Sequence, residues 1–227
     1  MSALPTRTDP GVTVRSYRHR RGRLGATTAA ALARLGDQIV SVDGSLLDVE
    51  ALFGRAAPLV IEVGSGMGEA TAQLAAADPG RDVLAVDVHL QGLGRLLRRL
   101  EEQGLTNVRV AEGDAVVLLR DMLRADSVDE VRVFFPDPWP KARHAKRRLV
   151  QRAFLDLVAE RLRHHGVLHL ATDWAPYADH MRELLRSHPS YAVVHDGPRP
   201  AHRPLTRFEQ QGIDAGRISC DLIARRV

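Results

Sequence analysis

A repeated pairing of short apolar runs with helical segments constrains the fold of this chain more than any other feature. Five such runs, beginning with "PLVIEVG" at residue 58 and "DVLAVDVH" at residue 82, each precede a segment with helical spacing. Continuous apolar runs of this length are typical of parallel strands that are buried on both faces. The alternation therefore predicts right-handed crossovers and a mostly parallel sheet covered by helices on both sides.

Two further runs of strand character, "YAVVHD" and "RISCDLIARRV", end the chain and are joined by a proline-rich loop. We therefore predict an α/β fold with a doubly wound, mostly parallel, seven-stranded sheet and an antiparallel last strand. This arrangement resembles the Rossmann-like fold of class I methyltransferases. A long helix is predicted over residues 147–166, where a helical pattern is closed by glycine.

Length and composition indicate one domain preceded by a basic arm. The 227 residues suit a single domain, predicted over residues 26–227, and residues 1–25 are polar, basic and rich in turn formers, so we expect a flexible arm there. No apolar run approaches the ~20 residues needed to cross a bilayer, and the single cysteine, Cys220, excludes an intramolecular disulfide. We expect a cytoplasmic protein that does not bind membranes.

Acidic residues stand at or just after the ends of all five parallel strands. They are Glu62, Asp87, Asp114, Asp137 and Asp173. Any one of them is unremarkable as a helix cap. In open α/β sheets, however, ligands bind outside the carboxyl ends of the strands, so the five together predict a binding site at this edge.

The glycine-rich turn after the first strand predicts the kind of cofactor. In "EVGSGMGEA", Gly64 and Gly66 fit a dinucleotide fingerprint, but Glu69 stands where the third small residue is required. An acid there opposes a pyrophosphate at the helix N-terminus. The pattern of Glu62 with Gly64, Gly66 and Gly68 resembles the first motif of S-adenosylmethionine-dependent methyltransferases, whose cofactor is cationic and has no phosphate.

Two further acids fit the same cofactor. Asp87 ends the second strand, where a doubly wound fold places a carboxylate that accepts both ribose hydroxyls. Asp114 follows the third strand, where methyltransferases often have an acid that meets the adenine amino group. Helix capping is the structural alternative for Asp114.

The stretch "FFPDPWPKARHAKRR" combines a stiff turn with a basic run. Pro136, Pro138 and Pro140 restrain the backbone around Asp137 and Trp139, so that an acid and an aromatic ring are presented rigidly. The ring can stack on a base and the acid can contact a base edge. Cations able to meet RNA phosphates are Arg143, Lys146, Arg147 and Arg148 in this run and Arg20, Arg21 and Arg23 in the arm. Solvated surface charge is the alternative for either cluster.

The whole stretch resembles the signature of the bacterial tRNA (guanine-N7)-methyltransferases. "RSYRHRRGRL", "IEVGSGMG", "AVDVH", "GDAVVLL", "ATDWAPYADHM" and "RPLTRFEQQG" extend the similarity over most of the chain. The resemblance implies methyl transfer from S-adenosylmethionine, leaving S-adenosylhomocysteine, to guanine N7 at position 46 in the tRNA variable loop. It implies cofactor contacts at Glu62, Asp87, Asp114 and Asp137, with Asp137 also as the catalytic residue. Substrate contacts are implied at Lys141, Asp173, Thr206, Arg207, Phe208 and Glu209.

Two other functions stay open at this point. An enzyme that methylates an exocyclic amine of RNA or DNA would also suit the acid-proline-aromatic turn. A non-catalytic RNA-binding module on a methyltransferase fold is the third reading, which the complete set of strand-end acids disfavours. We expect no metal, and a monomer or a homodimer.

Overall fold

In the computed structural model of the chain, which describes residues 25–227, eight strands form one sheet. The strands are β1 (Ile39–Ser41), β2 (Leu59–Val63), β3 (Asp82–Asp87), β4 (Val108–Glu112), β5 (Val128–Phe134), β6 (Leu162–Thr172), β7 (Tyr191–Gly197) and β8 (Cys220–Arg226). Their order across the sheet is β1-β4-β3-β2-β5-β6-β8-β7, and β8 alone among them runs in the opposite direction, antiparallel to both β6 and β7. The doubly wound sheet with an antiparallel last strand is thus confirmed.

Helices connect the strands and flank the sheet. They are α1 (Ala26–Leu35), α2 (Val49–Phe53), α3 (Glu69–Ala77), α4 (Leu90–Gln103), α5 (Ala115–Val117), α6 (Arg152–Arg161), α7 (Ala175–Arg186) and α8 (Arg207–Asp214). A π-helical turn, Leu118–Met122, continues α5, and a 3-10 segment, Ala142–Arg147, lies within the basic run. The predicted flexible arm lies outside the described residues, except for Gly25.

The central strands are buried on both faces, as their continuous apolar sequences predict. Every residue of β2 and of β3 is buried. Val60 belongs to the hydrophobic cluster under α4, whereas its neighbour Ile61 belongs to the larger cluster on the opposite face. Because successive residues of a strand point to opposite faces, this division requires helices on both sides of the sheet.

The prediction of seven strands was wrong by one. The additional strand, β1, has three residues and pairs in parallel with β4 at the edge of the sheet, where Ile39 lies opposite Val110. Three residues are too few for an alternating pattern to be recognised in the sequence, and the pairing partner lies far along the chain.

The long helix predicted over residues 147–166 was also wrong at both ends. Helix α6 begins only at Arg152 and ends at Arg161, whose guanidinium donates to the carbonyl groups of Leu119 and Arg120. The backbone is extended from Leu162, which pairs with Val128 in the sheet. The helical pattern continues past Arg161 in the sequence, but strand pairing takes precedence there.

The proline-rich loop before β8 contains a helix that the sequence pattern did not indicate. Thr206 caps α8, because its hydroxyl accepts a hydrogen bond from the backbone amide of Glu209 at 3.0 Å.

Among the described residues, no helix has the length and apolar character that crossing a membrane requires.

Candidate active site

The parallel strands bring the predicted site residues to one edge of the sheet. Strands β2, β3, β4, β5 and β6 all run in the same direction, so their carboxyl ends share this edge. The segments that leave it are the glycine loop (residues 64–68), Asp87, Asp114, the proline loop (residues 135–141) and Asp173. This is the edge at which doubly wound folds bind ligands.

The glycine loop keeps space open above β2. Gly64, Gly66 and Gly68 have φ angles of 79°, 56° and 74°, a left-handed conformation that side chains disfavour. A β-carbon added at Gly64 or Gly66 would meet no atom within 4 Å, whereas one at Gly68 would lie 2.6 Å from the β-carbon of Leu96. The first two glycines therefore leave room for a ligand, and the third allows α3 and α4 to pack closely.

Glu62 is a buried carboxylate, and one of its two oxygens has no hydrogen-bond partner among the described residues. Its side chain accepts a hydrogen bond at Oε1 from the hydroxyl of Thr71, at 2.9 Å. Its second oxygen, Oε2, is buried and has no hydrogen-bond partner among residues 25–227. Burial raises the pKa of Glu62 above its usual value, although Arg132 and Thr71 partly oppose this effect. The orphaned oxygen marks a position for a donor that the described chain does not supply.

A second buried atom in the glycine loop is in the same situation. The hydroxyl oxygen of Ser65 is buried and also has no hydrogen-bond partner among the described residues. Two unpartnered polar atoms beside an open loop fit a polar, cationic ligand such as S-adenosylmethionine. The carboxylate of Glu62 suits its positive end, so the residues present fit this cofactor.

Asp87 is held in place by the backbone of two loops. Its Oδ2 accepts from the amide of Gly66 at 3.0 Å, and its Oδ1 accepts from the amide of His89 at 2.9 Å. Each carboxylate oxygen can accept a second hydrogen bond. Asp87 therefore orders the glycine loop, and each of its carboxylate oxygens keeps the capacity for a second hydrogen bond.

Asp114 caps α5, as the structural alternative for this residue predicted. Its Oδ1 accepts from the amide of Val116 at 2.8 Å, and the side chain is half-buried at the carboxyl edge. Capping orients the carboxylate without using its other oxygen. The adenine contact implied for Asp114 stays a prediction.

The proline loop presents Asp137 to solvent. The residue is exposed, and its carboxylate makes no hydrogen bond or ion pair with residues 25–227. Phe135 and Trp139 on either side have φ angles of 53° and 43°, which are unusual for residues with side chains. Such strain persists only where the surroundings impose it, and it is typical of functional sites. The loop is thus shaped to expose an acid.

The basic run beyond the proline loop divides into two groups. Its exposed members are Lys141, Arg143, Lys146 and Arg147. The guanidinium of Arg147 lies over the ring of Trp139, 5.1 Å from its centroid. Arg148, in contrast, is buried; it donates to the carbonyl of Pro138 at 2.9 Å and lies over the ring of Tyr177. In this structure Arg148 orders the loop, while Arg20, Arg21 and Arg23 lie outside the described residues.

Helix α8 lies against the acid that follows β6. Arg217 donates to Asp173 Oδ2 at 2.7 Å. A β-carbon added at Gly212 would lie 2.8 Å from the same oxygen, so α8 approaches this carboxylate closely at Gly212. Asp173 and the segment after residue 205, which are far apart in the sequence, are therefore adjacent.

The four residues implied as substrate contacts in this segment have different environments. Arg207 and Phe208 are exposed, and Phe208 keeps 64% of its surface accessible. Thr206 caps α8, and Glu209 is buried in an ion pair with Arg203. Sequence analysis did not single out Arg203, since nothing in the local pattern distinguishes it from a surface arginine in a proline-rich loop.

Sequence analysis also missed Gly92, which lies on α4 against the glycine loop. A β-carbon there would be 2.0 Å from the carbonyl oxygen of Gly66. The two glycines in the helical pattern "LQGLGRLL" were the available signal, because glycine inside a helix usually has a packing reason.

Comparisons with known proteins agree with the fold of this chain. A family model described as "Putative methyltransferase" matches residues 56–222. Among solved structures, the 16S rRNA methyltransferase KamB superposes with a TM-score of 0.60 at 15% identity, over 80% of this chain and 94% of that one. The 30S ribosomal A1408 methyltransferase from an uncultured bacterium gives a TM-score of 0.55 at 10% identity, over 80% and 95%. These structures share the fold.

Curated relatives are much closer in sequence. A tRNA (guanine-N(7)-)-methyltransferase from Streptomyces avermitilis is 52% identical over 219 residues, which cover 94% of this chain and 76% of the relative. Those of Streptomyces coelicolor and Nitrosospira multiformis are 52% and 46% identical, each over 94% of this chain and over 81% and 94% of their own lengths. The chain therefore belongs to the family of tRNA (guanine-N(7)-)-methyltransferases.

Proposed function

We propose that this chain transfers a methyl group from S-adenosylmethionine to N7 of a guanosine at position 46 in the variable loop of tRNA. One observation carries the proposal. A glycine loop with unpartnered buried polar atoms and a strained loop that exposes Asp137 leave the same edge of the sheet. The names of relatives that are 46–52% identical over 94% of the chain support it.

At the cofactor end, the chain supplies hydrogen-bond acceptors and shape. When bound, S-adenosylmethionine provides an electrophilic methyl group on a sulfonium. Glu62 and Ser65 have buried atoms available for its polar groups, and Asp87 has two free acceptor positions for ribose hydroxyls. Gly64 and Gly66 keep the space above them free of side chains. We propose that Asp114 accepts a hydrogen bond from the adenine amino group of the cofactor.

At the reacting end, the chain has to align the substrate and stabilise charge. Guanine N7 already has a lone pair, so no side chain must remove a proton before methyl transfer. Holding the two reactants in line is itself a large contribution to the rate. Methylation makes the base cationic, and we propose that the exposed carboxylate of Asp137 stabilises that charge. Asp173, under α8, is a second acid at the same edge.

The substrate surface surrounds this point. Lys141, Arg143, Lys146 and Arg147 are exposed beside the proline loop and can neutralise phosphates. On α8, Phe208 presents an exposed ring on which a base can stack. A cytoplasmic location and a monomeric or homodimeric state are further predictions of the sequence.

The test is to incubate the protein with methyl-labelled S-adenosylmethionine and an unmodified tRNA transcript, and then to map the product. We expect N7-methylguanosine at position 46 and no labelling of a transcript with adenosine at that position. Label on an exocyclic amine would instead identify the alternative methyltransferase. Binding of tRNA without turnover at saturating cofactor would identify a non-catalytic module.

A further inference from the structure

Arg203 is a buried cation whose hydrogen-bond donors are all used. Its side chain is fully buried between β8 and α8. Nε and one terminal nitrogen donate to Asp221 at 2.6 and 2.8 Å, and both terminal nitrogens donate to Glu209 at 2.8 and 3.0 Å. A long fifth bond, of 3.4 Å, reaches the carbonyl of Pro204. Guanidinium groups are tolerated in an interior only with such complete pairing.

The carboxylates around Arg203 are themselves anchored. Asp221 also accepts from His169 Nε2 at 2.7 Å, and Glu209 accepts from the hydroxyl of Ser219 at 2.5 Å. Burial opposes ionisation of Asp221, but the bonds from His169 and Arg203 outweigh it and lower the pKa of that carboxyl. The guanidinium is consequently fixed in both position and orientation.

The guanidinium also packs against the residues that enter the proline loop. Its central carbon lies 5.5 Å from the ring centroid of Phe134 and 5.3 Å from that of Phe135. Phe135 has the unusual φ of 53°, and its amide donates to the carbonyl of Ala171 at 2.8 Å. Two residues later the chain reaches Asp137. A strained backbone needs support from its surroundings, and Arg203 is a rigid group in contact with both rings.

We propose that Arg203 is a positioning residue for methyl transfer, which holds the entry of the proline loop and the start of α8 in one fixed relation. This inference rests on the proposed function, because it assigns Arg203 to act through Asp137 on one side and through the substrate-facing segment of α8 on the other. Glu209, which the family resemblance implies as a substrate contact, acts in this arrangement as the anchor between Arg203 and α8.

The test compares two conservative substitutions of buried arginines. Arg203→Lys keeps the charge but loses the planar group that bridges two carboxylates and packs on two rings. Arg161→Lys is the matched control, since Arg161 is also buried and bonded to two carbonyl groups, but at the opposite edge of the sheet. Both proteins are assayed below their melting temperatures, in single turnover at saturating cofactor and tRNA.

We expect Arg203→Lys to slow single-turnover methylation by about 10²-fold, the usual effect of a misplacement near 1 Å. Cofactor affinity should stay within about twofold of wild type, since the glycine loop and Asp87 are untouched, and Arg161→Lys should react at the wild-type rate. A wild-type rate in Arg203→Lys overturns the inference. So does an equal loss of rate in both variants, or a loss that follows cofactor affinity.

Fluorescence provides a readout that does not depend on turnover. The chain has two tryptophans, so in a Trp174→Phe background Trp139 alone reports on the proline loop. We expect Arg203→Lys to increase acrylamide quenching of Trp139, and Glu209→Gln to do so to a lesser extent. Unchanged quenching in both variants overturns the inference. If the wild-type chain fails to methylate tRNA, the proposed function is wrong, and the quenching result still decides whether Arg203 holds the loop.

Discussion

At the scale of single residues, the site contains polar groups whose burial or backbone strain lowers the stability of the ligand-free chain. Glu62 shows this most clearly, because burial penalises its charge and its Oε2 has no partner among the described residues. Buried polar groups without a partner are uncommon in native proteins, and a functional role is one recognised reason for them. Asp137 differs from Glu62, because its charge is solvated and only the backbone on either side of it is strained.

Replacement of Glu62 by glutamine should stabilise the ligand-free protein and weaken cofactor binding. The amide keeps the size of the side chain and removes a buried charge, so we expect a gain of about 1 kcal/mol, or about 2–4 °C in melting temperature. Because the folded-state pKa of Glu62 is raised, the wild-type penalty is complete above that pKa and disappears as the pH falls below the unfolded value.

Melting curves between pH 4 and pH 8 and calorimetric titration with cofactor test this prediction. Because the penalty requires the ionised carboxylate, the stability gain of Glu62→Gln should be largest at neutral pH and should shrink in acid. The exposed control Glu183→Gln should change neither the melting temperature nor the cofactor affinity. A glutamine variant that melts like wild type at pH 8 and binds cofactor equally well would show that Oε2 faces no ligand.

Asp137 should matter for turnover much more than for folding. Asp137→Asn keeps the shape of an exposed side chain and removes its charge, so the melting temperature should not change. Loss of one electrostatic contact to a developing charge commonly lowers the rate by about 10²–10³. Single-turnover methylation at saturating cofactor measures this step without interference from cofactor affinity. Equal rates for Asp137→Asn and the exposed control Asp179→Asn would assign Asp137 no role in the reaction.

At the scale of elements, the cofactor site depends on how closely α4 packs against the glycine loop and α1. Gly92 and Gly94 lie on the same helix and are both buried. A β-carbon at Gly92 would collide with the backbone carbonyl of Gly66, whereas one at Gly94 would meet Thr28 and Leu32 of α1. Gly92 therefore allows α4 to approach the glycine loop, whereas Gly94 allows it to approach α1.

This difference predicts that a substitution at Gly92 changes cofactor binding, whereas a substitution at Gly94 changes stability. Gly92→Ala should displace the glycine loop and reduce cofactor affinity by about tenfold or more, since overpacking against backbone costs roughly 1–3 kcal/mol. Gly94→Ala should disturb the contact with α1 and lower the melting temperature, but leave cofactor affinity within about twofold. Calorimetry and thermal melts of both proteins test this. Equal cofactor affinities in the two variants would contradict the role given to Gly92.

At the scale of the whole molecule, positive charge is concentrated beside the proline loop. Residues 141–148 contain five lysines or arginines and no acid, although the net charge of the entire chain is only +4. Most of these cations are exposed beside the proline loop. An uneven charge distribution of this kind guides a polyanion to one edge of the sheet.

Neutralising exposed cations in this run should weaken tRNA binding in a salt-dependent way. For the double variant Lys146→Gln and Arg147→Gln, each lost phosphate contact should flatten the slope of log affinity against log salt by about 0.7–0.9. Cofactor affinity should not change. Arg163→Gln, at the opposite edge, is the control and should keep the wild-type slope. An unaltered slope in the double variant would identify these residues as solvated surface charge.

The sequence by itself determined the alternation of strands and helices and the identity of the acids at the strand ends. These features are local, because strand burial, helix periodicity and the turns between them are encoded by residues close together in the sequence. For the same reason the glycine loop and the proline loop were recognisable, and parallel strands necessarily bring their ends to one edge.

Tertiary structure decided the features that depend on partners far apart in the chain. The three-residue strand β1 forms because its backbone pairs with that of β4. Helix α6 ends at Arg161, whose guanidinium donates to the carbonyl groups of Leu119 and Arg120. Arg203 became a buried anchor only because β8 and α8 bring Asp221 and Glu209 to it from opposite sides. Contacts of this kind leave no periodic trace in the sequence, since each depends on how complete elements pack against one another.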